Sequence, residues 1–247
     1  KIKQLCAAKG VTFHVSISLD GMNETHNKVR GLKVFDIVSK NILEINSNME
    51  KYCDSFDVGC TVVRQNVYDL PALYEFSKCN KIPIKYRLGI ENKRIESDQL
   101  TDQYKMDQDE EKLVAAEFFH FLMGEARNLF DKFKYFSIWA HLTGYSKKRL
   151  LGCHWQENGL TMDSRGDVYY CAVASDKIGS VRGEKVGTGK QQFFDAKNLA
   201  YRAEILKNDC DTCIHDYWGT PTYKNVFTFF KYFLSENLYW INYRFKS

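Results

Sequence analysis

The sequence holds eight cysteines, and four of them fall in a pattern that could do chemistry. Cys210-Asp-Thr-Cys213 is a Cys-x2-Cys knuckle, a spacing that lets two thiolates reach one metal centre. Cys153 and Cys171 bracket two short β-rich runs, Leu160 to Met162 and Asp167 to Cys171. The turn between the runs, Asp163-Ser-Arg-Gly166, ends on a glycine where a hairpin needs positive φ. Such a hairpin can bring Cys153 and Cys171 to one side. Four thiolates suit either a 4Fe-4S cluster or a tetrahedral zinc, and on physical grounds alone the two stand nearly even. A redox dithiol at Cys210 and Cys213 is a third possibility, but it leaves Cys153 and Cys171 unexplained. Cys6, Cys53, Cys60 and Cys79 read as small buried residues on helices and strands.

The elements that must position these groups follow from periodicity. Residues 1 to 10 read as the tail of a helix closing on Gly10. From Val11 to Leu19 apolar and polar residues alternate, with Thr12, His14, Ser16 and Ser18 on one face. Phe35, Val38, Ile42, Ile45 and Met49 recur at helical steps. A second strand runs from about Asp57 to Val63. Asp69 can cap the next helix, with Pro71 in its first turn and Leu70, Leu73, Tyr74 and Ser77 inward. Pro83 opens a third strand, Ile84 to Ile90.

Strand, helix, strand, helix, strand is the pattern of parallel βα units, whose ligands sit at the carboxyl ends of the strands. A site is therefore expected near Ser18 to Gly21, Arg64 to Asn66 and Gly89 to Asn92. The polar row of the first strand suits either a barrel lumen or an edge strand facing water, and the lumen reading is preferred. Lys85 and Arg87 share a face of the third strand and would point the same way. His14 and His26 are read as structural. Residues 93 to 107 form a polar linker, and Gln108 to Phe133 reads as one long helix with Leu122, Ala126, Leu129, Phe130 and Phe133 inward. Phe193 to Leu206 is a further short helix.

Composition sets the outer limits. The 247 residues, 44% hydrophobic and 27% charged, can bury a sizeable core. The net charge of +4 comes from 35 basic and 31 acidic residues scattered along the chain, so no nucleic-acid footprint stands out. No apolar run approaches the roughly 20 residues of a membrane span, and the first residues lack a cleavable signal. Membrane association is not expected, and a cytoplasmic location with reduced thiols is. The tail, residues 223 to 247, is aromatic and basic, and packing is preferred for it over surface binding.

Several segments resemble, in order, the radical S-adenosylmethionine (AdoMet) enzymes that carry a SPASM or twitch extension. They are Ser16-Ile-Ser-Leu-Asp-Gly21, His26, Arg30-Gly31, Phe35-Asp-Ile-Val-Ser-Lys-Asn41 and Thr61-Val-Val-Arg-Gln-Asn66. Downstream, Cys153, a Gly-x-Val-Tyr-Tyr-Cys turn ending at Cys171, and a late Cys-x2-Cys look like the twitch arrangement. The resemblance covers most of residues 1 to 217. It departs at one point: the family holds its catalytic cluster in a Cys-x3-Cys-x2-Cys loop, and no such triplet occurs here.

The resemblance implies an α/β chain, the second half of a partial (β/α)6 TIM-like barrel followed by a small α+β cysteine-rich twitch- or SPASM-like domain. The expected division is 1–150 for the half-barrel and long helix, 151–217 for the auxiliary cluster domain and 218–247 for the terminal helix. It implies that Cys153, Cys171, Cys210 and Cys213 hold an auxiliary 4Fe-4S cluster, saturating it. Ser18 would make polar contacts to AdoMet, and Arg30 would face its carboxylate, either there or as a surface partner of nearby acids. The complete protein would add AdoMet and a second 4Fe-4S cluster, and this chain alone would be inactive. It would oxidise or modify a small-molecule, peptide or carbohydrate-type substrate, with an external electron donor such as flavodoxin or ferredoxin. The alternative is a non-catalytic structural or interaction module stapled by a zinc ion on the same four cysteines.

Overall fold

The computed structural model describes residues 1–90, 93, 106, 108–182, 188–215, 219 and 221–244, with side chains up to residue 235. The expected linker over 93–107 and the third strand-end site at Asn92 lie almost wholly outside these residues, as do the side chains of Tyr239, Trp240, Tyr243 and Phe245. The chain divides into two compact units, one of residues 1–89 and 102–118, the other of 90–101 and 119–247.

In the first unit α1 (Ile2–Ala7) leads to β1 (His14–Ser18), α2 (Asn23–Arg30), α3 (Phe35–Ser47), α4 (Met49–Tyr52), β2 (Ser55–Val62), α5 (Leu70–Cys79) and β3 (Ile84–Leu88). The strands form a parallel sheet in the order β1-β2-β3, with Ser16 opposite Asp57 and Gly59 opposite Lys85. β2 is central and buried along nearly its whole length, flanked by a strand on each side. Phe35 and Ile42 of α3 and Leu70, Leu73 and Ser77 of α5 supply the cover.

β1 is shorter than expected. Its His14, Ser16 and Ser18 are exposed on an edge strand of an open three-stranded sheet. Asp69 does not cap α5 with its side chain. A 3₁₀ turn at Val67–Asp69 runs straight into the helix, and the carboxylate instead accepts from the Met22 N–H at 2.5 Å.

The second unit takes up the chain within α6 (Asp109–Glu125), whose last turns belong to it. The expected single helix is in fact two, because Asn128 adopts an extended backbone and caps α7 (Leu129–Leu142) by accepting from the Asp131 N–H. The break leaves Leu129 and Phe130 exposed, against expectation, while Phe133 is buried. Phe133 and Phe136 pack with Leu150, Leu151, Phe229 and Tyr232, the last two from α11 (Tyr223–Arg244). Tyr232 also meets Trp139 at 4.7 Å between ring centres. The described part of the tail thus packs through one face.

Between α7 and α11 come α8 (His154–Glu157), β4 (Thr161–Met162), β5 (Asp167–Tyr169), β6 (Gly179–Ser180), α9 (Gly189–Phe194) and α10 (Ala196–Asn208). β4 and β5 form the expected hairpin, Gly166 has φ +86°, and Asp163 accepts from the N–H groups of Arg165 and Asp167. β6 adds a third antiparallel strand. The helix expected over 193–206 is also divided. Thr188 and Gln191 form a capping box on α9, and Asp195 caps α10. Tyr170, Phe193 and Ile205 make a small second core.

Candidate metal centre

Cys153, Cys171, Cys210 and Cys213 all line one partly open pocket of about 500 Å³, a volume that includes space continuous with solvent. Each thiol reaches it from the end of an element: Cys153 precedes α8, Cys171 follows β5, and Cys210 and Cys213 follow α10. No disulfide joins them. Burial pushes the thiol pKa of Cys210 and Cys213 up, and the other thiols of the set add to it. For Cys213 this is opposed by the His215 backbone and by the Arg149 guanidinium.

Among the described residues no three His, Cys, Asp or Glu side chains converge tightly enough to hold a single metal ion. A tetrahedral zinc needs every sulfur about 2.3 Å from one point. All four thiols line the same pocket, and four thiolates are a donor set for either one zinc ion or a cluster whose cysteines each bind a different iron.

Few side chains hold these loops in place. Arg149 donates from Nε to the Leu151 carbonyl at 2.8 Å and from Nη2 to that of Gly152 at 3.0 Å. From Nη1 it reaches the carbonyls of Cys213 at 3.1 Å and His215 at 2.6 Å, and the Cys213 Sγ at 3.7 Å. Arg202 of α10 donates to the carbonyls of Gln156 and Glu157 while lying over the rings of Tyr170 and Phe193. Gly219 approaches so closely that a Cβ there would sit 2.3 Å from the Cys153 nitrogen. None of the three was legible in sequence, since Arg149 and Cys213 lie 64 positions apart and no spacing rule links them.

The other four cysteines divide. Cys53 and Cys60 are buried as expected, Cys6 is half-buried, and Cys79 is exposed near the end of α5, which corrects its reading as a core residue. Burial raises the Cys60 thiol well above its ordinary pKa.

In the first unit, the carboxyl ends of β1 and β2 carry a polar network centred on Asp20, which is 1% exposed. Its Oδ1 accepts from the Thr61 N–H at 2.9 Å, its carbonyl accepts from Asn66 Nδ2 at 2.7 Å, and its own N–H donates to His26 Nδ1 at 3.1 Å. Arg30 Nη2 lies 2.5 Å from Asp20 Oδ2. Arg30 therefore already has a buried carboxylate partner, while its side chain stays 39% exposed. Ser18 lies exposed at the end of β1. Gly21, at φ +152°, leaves room for Thr25 and Asp69, which a Cβ would meet at 2.7 and 2.8 Å.

On the exposed sheet face Lys85 and His14 both pair with Asp57. Burial would raise the Asp57 carboxyl, but the Lys85 ammonium, the Ser16 hydroxyl and His14 outweigh it and the pKa falls. Arg87 is exposed on the same face.

No protein-family profile matches the chain. Over 71 residues it is 34% identical to the Fe-coproporphyrin III synthase of Methanosarcina barkeri (strain Fusaro / DSM 804), a match to 28% of this chain and 17% of that protein. The fold is similar to that of anSMEcpe. The structure of the native form with bound AdoMet and the Kp18Cys peptide superposes with TM-score 0.51 at 17% identity, covering 94% of this chain and 70% of the other. The native form with bound AdoMet alone gives TM-score 0.51 at 16% identity, covering 97% and 70%. No helix among the described residues is long and apolar enough to cross a membrane.

Proposed function

We propose that this chain is part of a radical S-adenosylmethionine enzyme and holds an auxiliary 4Fe-4S cluster through Cys153, Cys171, Cys210 and Cys213. The convergence of these four thiols on one cavity carries the reading. They come from three separate loops, and four cysteines are the usual donor set of such a cluster. When bound, the cluster would supply one-electron chemistry, and AdoMet with a second cluster would supply the radical that abstracts hydrogen from substrate.

The chain's own residues would orient and protect these groups. Ser18, exposed at a strand end, and Arg30, beside Asp20, are the proposed AdoMet contacts, by way of a hydroxyl and a guanidinium. The first unit is proposed as part of a partial (β/α)6 barrel whose lumen face carries Ser16, Asp57, Lys85 and Arg87. The cysteine-bearing region is proposed as twitch- or SPASM-like. A peptide is the preferred substrate class over a carbohydrate, since anSMEcpe binds one in the same fold. An external donor such as flavodoxin or ferredoxin would supply electrons. No Cys-x3-Cys-x2-Cys loop occurs in the 247 residues, so turnover is proposed only for protein that includes that loop.

Anaerobic reconstitution with iron and sulfide tests the cluster. Uptake of iron and sulfide in equal amounts, with broad visible charge-transfer absorption, is expected. A colourless protein that takes up no iron but binds one zinc would replace the cluster with a structural zinc site on the same four thiolates.

A further inference from the structure

We infer that Arg149 is a positioning residue for the proposed cluster, clamping the two loops that carry Cys153 and Cys213 and setting the electrostatic environment of the Cys213 sulfur. The inference rests on the cluster reading for its electrostatic half only, since the clamp is a property of the polypeptide.

Arg149 reaches both loops with one planar group. Nε and Nη2 engage the carbonyls of Leu151 and Gly152, the two residues before Cys153. Nη1 engages the carbonyls of Cys213 and His215. Its own backbone N–H donates to the Asp211 carbonyl at 2.6 Å, inside the Cys210 to Cys213 knuckle. These loops have no regular ladder between them. A guanidinium has five donors in a rigid fork, and no other side chain could satisfy carbonyls in this many directions at once.

The same nitrogen that bonds the Cys213 carbonyl lies 3.7 Å from its sulfur. Hydrogen bonds and positive charge at a ligating sulfur stabilise the more reduced, more negative state of an iron-sulfur centre and so raise its potential. Lys148, next in sequence, touches the knuckle only through an ion pair with Asp211 in which both side chains are largely exposed, a contact worth little.

The test uses the full 247-residue chain in three variants, Arg149→Gln, Arg149→Lys and Lys148→Gln, beside the wild type. In metal-free protein, amide hydrogen exchange at 152–153 and 213–215 should quicken together in both Arg149 variants and stay unchanged in Lys148→Gln. After anaerobic reconstitution, both Arg149 variants should lose iron to a chelator faster. The midpoint potential should fall in Arg149→Gln and fall less in Arg149→Lys, which keeps the charge but not the fork. A purely structural arginine would give the same potential in every cluster-bearing variant. Loop exchange unchanged in both Arg149 variants would overturn the clamp, and an unchanged potential would overturn its electrostatic half. Wild-type protein that binds no iron, together with loosened loops in the variants, would support the clamp and remove the cluster reading instead.

Discussion

The polar network at the strand ends of the first unit and the cysteine cavity of the second are held by opposite means. Around Asp20 the chain supplies most of the partners itself, leaving His26 Nε2 buried without a hydrogen bond among the described residues and Asp20 Oδ2 met only by the Arg30 ion pair. A buried central strand fixes Thr61, a short loop fixes Asn66, and the buried carboxylate accepts from the Thr61 N–H and pairs with Arg30. Around the cysteines the elements are short, β4 and β6 being two residues each. The loops between them hang on Arg149, Arg202 and a close approach at Gly219. A region with so little regular structure has less to lose by opening, and a bound metal centre there contributes directly to folding. A site built from sheet and helix is largely made by the fold, whereas a site built from loops relies on what it binds.

The comparison breaks most sharply at a ligand. Cys213→Ala removes one of four thiolates and should cost the chain most of its bound iron and sulfide. It should also make the chain protease-sensitive beyond about residue 119 while the first unit stays folded. Cys79→Ala is the control, and its exposure makes it a better one than a buried cysteine, because no packing is lost. Equal iron in the two variants would end the assignment of Cys213.

How far each region was legible in sequence follows the same line. β3 and α5 were readable because burial imposes a period on the residues, and β2 because it is a short, nearly continuous buried run. The four cysteines were readable as a set because metal chemistry restricts residue type. What stayed hidden depended on single polar side chains acting at a distance or against the local pattern. Asn128 splits a run whose apolar residues continue across it, and Asp195 does the same between α9 and α10. Asp69 looks like a helix cap and instead serves the Met22 N–H, 47 positions away. Arg149 had no local signal at all.

The next effect tests whether the first unit is as self-sufficient as its hydrogen bonds indicate. Asp20→Ala strands the Thr61 N–H, part-buried behind it, and removes the partner of Arg30. The unsatisfied amide costs about 1–3 kcal/mol, and the ion pair adds less because Arg30 is open to solvent on its other side. Urea denaturation should show a loss of about 2–3 kcal/mol. Asp20→Asn, which can keep the acceptor for Thr61, should lose about half of that. Equal losses would mean that the charge, and not the hydrogen bond, holds the network.

Arg30 separates structure from binding within one residue. In protein carrying the Cys-x3-Cys-x2-Cys loop, Arg30→Ala should weaken AdoMet binding about ten- to a hundredfold, the value of one charge-assisted contact of about 1.5–3 kcal/mol. The proposed cluster should be unaffected. Unchanged affinity by titration, with stability reduced, would assign Arg30 to Asp20 alone.

The smallest expected effect is a pH dependence in the first unit that the cysteine region does not share. His26 is 1% exposed, and its Nδ1 accepts from the Asp20 N–H, so the neutral ring carries its proton on Nε2. Burial lowers the His26 pKa below its ordinary value near 6.5, and although Asp20 works against that shift, Arg30 works with it. Because the folded pKa is the lower one, the unfolded chain binds the proton first. The stability His26 contributes is therefore whole above about pH 6.5 and is lost as pH falls through the folded value. Protonation also removes the acceptor from the Asp20 N–H, loosening the network at its centre. His26→Gln offers an amide oxygen in place of Nδ1 and has no proton to gain. Its urea midpoint should change less than that of the wild type between about pH 7 and 5. Parallel acid profiles for the two proteins would show that some other group, Asp57 with its Lys85 and His14 partners being the nearest in kind, governs the acid response of this unit.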